Sequence, residues 1–177
     1  MWRLDATLAR LQHWDERICV RINRGARQPP VVLSLQAVSW LGNGIFWYAL
    51  MLALLLADPS GAALPVLHMA FAGAVCTGCY KMVKRTTVRV RPFEVNPLVS
   101  AGATVLDRFS FPSGHTLHAV AFTLIACIYY PSLWMILVPF SVVTAVSRVA
   151  LGLHYPSDVL AGGALGGFIA GASFFIA

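Results

Sequence analysis

The sequence predicts an all-α, polytopic transmembrane helical bundle of about five spans, preceded by an N-terminal amphipathic helix at the membrane interface. Of its 177 residues, 58% are hydrophobic and only 11% are charged, whereas a soluble domain carries about a quarter charged residues. The apolar residues lie in long runs, each near the ~20 residues that a bilayer-crossing helix needs. Backbone polar groups in lipid must be satisfied within the segment, so these runs predict helices. One domain, residues 1–177, accounts for the length.

The elements follow in order along the chain. Residues 1–28 combine apolar residues at helical spacing with arginines, which is typical of an interfacial amphipathic helix. This segment has no continuous apolar core, so we expect no cleavable signal peptide. The expected spans are residues 31–57, interrupted at Gly42-Asn43-Gly44, and then 61–82, 116–130, 133–146 and 159–177. Small residues allow close helix packing. We assign that role to Gly162, Gly163, Gly166, Gly167 and Gly171 of the last span.

Composition also narrows the possible partners. Cys76 and Cys79 form a C-x-x-C pattern inside an apolar stretch, without the second ligand pair that zinc needs. We therefore expect packing cysteines, no disulfide and no metal. The net charge of +6 suits anionic lipid or a phosphorylated substrate, and the sequence offers no soluble basic face for nucleic acid.

Three polar clusters interrupt the apolar pattern, and polar residues near a membrane are functional candidates. The first follows the second span and contains Lys84, Arg91 and Pro92, with Arg85 and Arg89 nearby. Alone, this cluster favours a basic collar whose side chains snorkel to the lipid headgroups.

The second cluster, Pro112-Ser113-Gly114-His115, precedes the next span. Free N–H groups at a helix start, a serine hydroxyl and a glycine that permits close approach are suited to binding an anion. An ordinary helix N-terminus capped by Ser113 explains the same residues equally well.

The third cluster is Ser147-Arg148, followed by His154 and Asp158. Pro156 suits the first turn of the last helix, so His154 lies just before that helix and Asp158 lies within its first turn. A carboxylate that holds one imidazole nitrogen leaves the other as a nucleophile or base. A capping carboxylate and an interfacial histidine are the alternative, which does not explain why Arg148 lies so close.

The order of the crossings brings all three clusters to one face of the membrane. The second span exits there, the helix after Pro112 re-enters there, and the chain returns two crossings later at Arg148. Cationic side chains and helix-terminal amides that converge on one point are what a phosphoryl group with developing charge needs.

Together the clusters resemble a known three-part signature. Lys84-x6-Arg91-Pro92, Pro112-Ser113-Gly114-His115 and Ser147-Arg148-x5-His154-x3-Asp158 are similar to the motifs of the type 2 phosphatidic acid phosphatases, whose superfamily includes the vanadium-dependent haloperoxidases. The motifs occupy residues 84–158, and the helical layout extends the likeness from about residue 31 to the end.

The resemblance implies a role for each motif residue. His154 would attack phosphorus and form a phosphohistidine, Asp158 would orient it, and His115 would protonate the leaving oxygen. The phosphate oxygens would be held by Lys84, Arg91, Ser113, Gly114 and Arg148. Neither a metal nor another cofactor is expected, because cationic side chains neutralise the charge. His118 lies outside the signature, as a pocket-wall, headgroup or core residue.

The expected function is hydrolysis of a lipid phosphate in the inner membrane. Candidate substrates are phosphatidic acid, phosphatidylglycerol phosphate, a polyprenyl phosphate or pyrophosphate, and a phosphorylated glycolipid. We expect the loop from Phe93 to Phe111 to select among them through its polar residues, Glu94, Asn96, Asp107 and Arg108. The alternatives are a lipid phosphotransferase that uses the same intermediate and a non-catalytic lipid-binding or transport protein. A haloperoxidase is disfavoured because that chemistry belongs to soluble members, although vanadate should inhibit.

The charge distribution predicts an orientation. Many bacterial relatives have six spans, whereas charged residues here replace the apolar first helix. All thirteen Lys and Arg then lie on the active-site face, since the opposite loops near Asp58 and Pro131 contain none. The positive-inside rule favours a cytoplasmic active site, although six-span relatives usually work on the outer face.

Overall fold

The computed structural model describes residues 2–105 and 107–176, with side chains from Thr7 onward. This part of the chain contains helices and loops and no strand. Met1 and Ala177, the outermost residues of the predicted first segment and last span, lie outside this part. The helices are α1 (Trp2–Gly25), α2 (Pro29–Trp40), α3 (Phe46–Ala57), α4 (Ala63–Thr87), α5 (Pro92–Val95), α6 (Gly114–Tyr129), α7 (Trp134–Ala150) and α8 (Pro156–Ser173).

Among the described residues, three helical segments are long and apolar enough to cross a membrane, judged by length and composition: Pro29–Ala57, Ala63–Val95 and Pro131–Ala150. The apolar helix α6, with 16 residues, is shorter, and α8 has 18 residues rich in glycine. The architecture is thus the predicted all-α membrane bundle, whereas the count of five spans stays a prediction.

The predicted interruption at Gly42-Asn43-Gly44 lies between α2 and α3. A kink at Leu41–Ile45 joins the two helices there: the backbone angles of Asn43 and Gly44 are not helical, and Gly44 has a φ of 119°. This left-handed backbone is open to glycine at little cost. The break lets residues from both helices face one cavity, described below.

The core lies between α6 and its neighbours α4, α7 and α8. Gly162 and Gly166 of α8 lie against the backbone of α6, where a Cβ atom would clash with the carbonyl oxygens of Ser113 and Leu117. These two glycines therefore have the close-packing role predicted for them. Nothing lies within 4 Å of a Cβ built at Gly171, so that glycine does not take part in the packing.

Helix α1 packs along α7 and the start of α8. Three residues spaced by four, Asp15, Cys19 and Asn23, form its buried face. Asn23 joins α1 to the bundle by donating hydrogen bonds to the carbonyl oxygens of Ser100 and Ala150, each 2.9 Å long. Apolar side chains such as Trp14 remain exposed on the other side, so the helix is amphipathic as predicted. Its place at a membrane interface stays a prediction.

The two ends of the bundle differ in chemistry. At the end where α4 begins and α8 ends, the buried His68 hydrogen-bonds Tyr129 and Ser173. The connections at this end contain no Lys or Arg. The three motif clusters lie at the other end.

Candidate active site

The predicted site residues surround one cavity of about 910 Å³. Its lining includes six of the eight residues assigned from the sequence: Lys84, Arg91, Gly114, His115, Arg148 and His154. The other two, Ser113 and Asp158, are fully buried beside it. The predicted convergence of the three clusters is thus present, although residues 93–111 and 116–146 separate them along the chain.

Lys84 and Arg91 are held by a carboxylate from the intervening loop. Asp107 accepts a hydrogen bond of 2.7 Å from Lys84 Nζ and one of 2.6 Å from Arg91 Nη2. Arg91 also donates to the carbonyl oxygen of Leu153 at 2.7 Å, so its guanidinium has a fixed orientation. The side chains of both cations are nearly buried, at 8% and 2% exposure. They form part of the cavity and not the basic collar that the first cluster favours when considered alone.

Of the four polar loop residues expected to select the substrate, Asp107 is the one that pairs with Lys84 and Arg91 of the cavity. Burial acts to raise the pKa of its carboxyl group, but the hydrogen bond and charge of Lys84, followed by the charge of Arg91, outweigh burial and lower that pKa. The carboxylate therefore stays ionised at neutral pH. Its side chain is 39% exposed, which gives it a path toward solvent.

Arg148, in the last turn of α7, also lines the cavity. It is 5% exposed and donates a very short hydrogen bond to Ser39 Oγ of α2. Its Nε has no hydrogen-bond partner among the described residues. Sequence analysis did not assign Ser39, because a single serine in an apolar span carries no motif.

The start of α6 joins the second and third clusters. Ser113 precedes the helix and donates its backbone N–H to the carbonyl oxygen of Asp158 at 3.0 Å. Its hydroxyl lies 3.0 Å from Thr116 Oγ1 and does not cap the helix. The N-terminal amides of α6 are thus not capped by Ser113, contrary to the ordinary-cap alternative, and Gly114 and His115 line the cavity beside them.

His154 lies in the connection between α7 and α8, with 1% of its surface exposed. Burial, and after it the positive charges of Arg148 and Arg91, lower the pKa of His154 well below its ordinary value. The imidazole is therefore neutral at pH 7, which is the form that a nucleophile needs. Its Nδ1 lies 3.7 Å from Asp158 Oδ2 and has no hydrogen-bond partner among the described residues. The predicted contact is thus close but is not a hydrogen bond; such catalytic bonds often tighten only on substrate binding.

Asp158 is bound by other groups as well. Its Oδ2 accepts the backbone N–H of Tyr155 at 2.8 Å, and its Oδ1 accepts a hydrogen bond of 2.6 Å from Arg89. Arg89 also forms an ion pair of 2.7 Å with Asp15 of α1. Arg89 therefore does not belong to a headgroup collar. Sequence analysis missed Asp15, for which the spacing of Asp15, Cys19 and Asn23 along one helix face was the available signal.

His118 lies in the cavity wall, one turn after His115. Its Nδ1 lies 2.8 Å from the carbonyl oxygen of Gly114, and its Nε2 lies 3.1 Å from Thr77 Oγ1. Both ring nitrogens are engaged, which agrees with the pocket-wall interpretation.

Within residues 2–105 and 107–176, no group of three or more His, Cys, Asp or Glu side chains is arranged to hold a metal ion. The four cysteines are free. Metal independence of the reaction stays a prediction.

Comparison with known proteins agrees with this geometry. Residues 62–176 match the family model described as the PAP2 superfamily. The chain belongs to this superfamily. It is 32% identical over 148 residues to the decaprenylphosphoryl-5-phosphoribose phosphatase of Mycolicibacterium smegmatis, covering 77% of this chain and 74% of that protein. It is 38% identical over 95 residues to the lipid A 1-phosphatase of Rhizobium etli, covering 49% of this chain and only 39% of that protein.

The fold is shared with a solved membrane protein. The crystal structure of a transmembrane PAP2-type phosphatidylglycerolphosphate phosphatase from Bacillus subtilis superposes with a TM-score of 0.77, at 24% identity, over 94% of this chain and 85% of that one. This likeness, with the three long apolar helical segments, makes the chain an integral membrane protein.

Proposed function

We propose that this chain is a membrane-embedded lipid phosphatase that hydrolyses a lipid phosphomonoester or pyrophosphate through a phosphohistidine, without a metal. The observation that carries the proposal is a single cavity into which three cationic side chains and two histidines converge. Such an arrangement binds a phosphoryl group and stabilises the charge that develops on it. The phosphatase relatives support the same class of reaction.

The proposed reaction has two steps. Nε2 of His154, the nitrogen remote from Asp158, attacks phosphorus, and the bond from phosphorus to the leaving oxygen breaks. His115, protonated once the anionic phosphate is bound beside it, gives its proton to that oxygen. In the second step His115 removes a proton from water, the water oxygen bonds to phosphorus, and the nitrogen–phosphorus bond breaks. Inorganic phosphate leaves, and both histidines return to their initial states.

During both steps the charge on the phosphoryl oxygens needs neutralisation. Lys84, Arg91 and Arg148 would supply it, and the amides at the start of α6, near Ser113 and Gly114, would add hydrogen bonds. These positive groups are largely removed from water, so their interaction with phosphate is stronger than it would be at an exposed surface.

The remainder of the cavity suits the apolar part of a lipid. Its wall beyond the charged residues includes Trp47, Met51 and Phe122, all buried. A phosphate at the cationic end would leave an attached chain in contact with this apolar wall. The candidate substrates are therefore lipid phosphates and pyrophosphates, among them phosphatidic acid, phosphatidylglycerol phosphate, polyprenyl phosphates and phosphorylated glycolipids.

The test is phosphate release by the purified protein in detergent, from a panel of lipid mono- and pyrophosphates, with EDTA present. We expect release by the wild type and its loss in His154→Ala. The matched control is His13→Ala, which removes an exposed histidine of α1. With a radiolabelled phosphoryl group, an acid-labile and base-stable protein label should form in the wild type.

Each other outcome has a defined meaning. Release that persists in His154→Ala would refute the histidine nucleophile, and release abolished by EDTA would refute metal independence. A labelled lipid acceptor in place of free phosphate would identify a phosphotransferase. No release from any lipid would favour a binding or transport protein.

We further propose that the active-site end faces the cytoplasm, because the connections at the opposite end contain no Lys or Arg. Ser60→Cys in the opposite connection and Glu94→Cys in the active-site loop are both exposed positions. In inside-out vesicles, a membrane-impermeant thiol reagent should label Glu94→Cys and spare Ser60→Cys. The reverse pattern would place the site outside.

A further inference from the structure

The N-terminal helix contributes a fully buried carboxylate to the active-site end of the bundle. Asp15 has no exposed surface. Its Oδ1 accepts the backbone N–H of Ser157 at 2.9 Å, and its Oδ2 accepts a hydrogen bond of 2.7 Å from Arg89 Nη2 and a very short one from the Ser157 hydroxyl. A carboxylate without solvent contact is costly unless it is paired and hydrogen-bonded, and Asp15 meets both conditions.

Arg89 connects this carboxylate to the one beside His154. Its Nη1 donates to Asp158 Oδ1 at 2.6 Å while its Nη2 donates to Asp15. Its guanidinium also stacks on the ring of Tyr155, with 4.2 Å between Cζ and the ring centroid. One planar cation is thus fixed between two buried carboxylates.

We propose that Asp15 is a positioning residue for the nucleophile, acting on His154 through Arg89 and Asp158; this inference rests on the proposed function. Asp158 lies 3.7 Å from His154 Nδ1, and the direction of its carboxylate is set by Arg89 on one oxygen and Tyr155 N–H on the other. Asp15 binds the far side of Arg89. It thereby prevents the guanidinium from moving toward Asp158 and drawing that carboxylate away from the imidazole.

Asp15 also fixes the start of α8 directly. Ser157 lies in the first turn of that helix, next to Asp158. Amides in the first turn have no partner within the helix, and Asp15 supplies one for Ser157 from another helix. The carboxylate therefore orients both Arg89 and the backbone that bears Asp158.

The decisive variant is Asp15→Asn, which keeps the size of the side chain. An amide has one acceptor oxygen, so it cannot accept from both Ser157 and Arg89 in the way that two carboxylate oxygens do. Loss of geometry at a nucleophile costs up to about 100-fold in rate. We expect kcat to fall ~10- to 100-fold, with KM for the lipid and the inhibition constant of vanadate changed less than ~3-fold, since the phosphate-binding cations are untouched.

Two matched variants separate positioning from simpler effects. Glu94→Gln removes the same charge from an exposed residue of α5 at the same end of the bundle. Asn23→Ala removes neutral hydrogen bonds that dock α1, about two turns along that helix from Asp15. We expect both variants to retain kcat within ~3-fold per folded protein. A fall in kcat equal to that of Asp15→Asn in either variant would overturn the proposal in favour of general charge or general docking.

A spectroscopic measurement makes the result independent of turnover. The ring ¹⁵N signals of His154, assigned by their absence in His154→Gln, report the hydrogen bonding of its Nδ1. They should shift in Asp15→Asn and stay unchanged in Glu94→Gln. If the wild type hydrolyses no lipid but this shift occurs, the proposed function fails and the positioning role stands. If the wild type is active and Asp15→Asn matches it in kcat and spectrum, the positioning role is wrong.

Discussion

Replacing Asp107 by Asn should tighten the binding of phosphate to the empty site. The Asp107 carboxylate now holds Lys84 and Arg91 through contacts of 2.7 and 2.6 Å, and these are two of the cations proposed to bind substrate phosphate. Its lowered pKa keeps it ionised across the neutral range. A phosphate that enters must therefore displace an anion or bind beside it. Asparagine keeps the shape and removes the charge.

The magnitude follows from the geometry of the two contacts. Exposed ion pairs contribute about 0.2–1 kcal/mol each, and close pairs removed from water contribute more, about 1.5 kcal/mol or above. Asp107 is 39% exposed while its partners are nearly buried, so we take ~1 kcal/mol for each contact, the upper end of the range for exposed pairs. Loss of this competition should improve phosphate affinity by about 1–2 kcal/mol, or roughly 5- to 30-fold.

The assay compares the inhibition constants of orthophosphate and vanadate for the wild type, Asp107→Asn and Glu94→Gln. Glu94 lies exposed in the same loop, so its substitution controls for a general change of charge. We expect both constants to fall in Asp107→Asn alone. Unchanged constants would show that Asp107 does not compete with phosphate, and weaker binding would show that it serves to hold the two cations in place. An equal decrease of the inhibition constants in Glu94→Gln would show that the effect comes from the overall charge of the loop and not from the Asp107 contacts.

Three further predictions concern stability. Arg89→Ala leaves two buried carboxylates without their cation, which costs about 3–5 kcal/mol. The unfolding midpoint of this variant in detergent should therefore lie well below that of Arg85→Ala, which removes an exposed arginine. Equal midpoints would contradict the buried network. The pKa of His154 is lowered in the folded state. As the pH falls below about 6.5, the ordinary pKa of histidine, the unfolded chain therefore binds a proton before the folded protein does. The contribution of neutral His154 to the free energy of unfolding is complete above that pH and is lost progressively below it. Between about pH 7.5 and 5.5, the unfolding temperature of the wild type should therefore fall more than that of His154→Gln. Equal decreases in the two proteins would contradict a buried neutral imidazole. Finally, Gly166→Ala places a methyl group against the backbone of α6 and should cost about 1–3 kcal/mol, whereas Gly171→Ala meets open space and should be neutral or slightly stabilising; equal effects would refute the close-packing role.

The architecture and the motif residues were predictable from local features of the sequence. Long apolar runs dictate helices because lipid offers the backbone no hydrogen-bond partners. The breaks at Gly42-Asn43-Gly44 and Pro131 follow from residues with special backbone geometry. Lys84, Arg91, Arg148 and the two histidines were recognisable because charged and polar groups are costly in such surroundings and because their spacing follows a known signature.

The partners of those residues were decided by the tertiary structure. Asp107 looked like one of several polar loop residues, and only the fold brings its carboxylate between Lys84 and Arg91. Considered alone, the first cluster, with Arg89 nearby, favoured a basic collar at the lipid headgroups, whereas in the structure Arg89 pairs with the buried Asp15 and Asp158. Neither pairing has a sequence spacing that would reveal it.

There is a physical reason why the sequence predicts the helices and the candidate residues but not the ion-pair partners of those residues. Helix formation in lipid and the cost of an unpaired polar group depend on a residue and its near neighbours along the chain, so the sequence by itself determines the helices and the functional candidates. The identity of an ion-pair partner depends on which helix faces meet. Asp15 and Asp158 are separated by more than 140 residues and share one guanidinium, because α1, the loop before α5 and the start of α8 pack at the same end of the bundle.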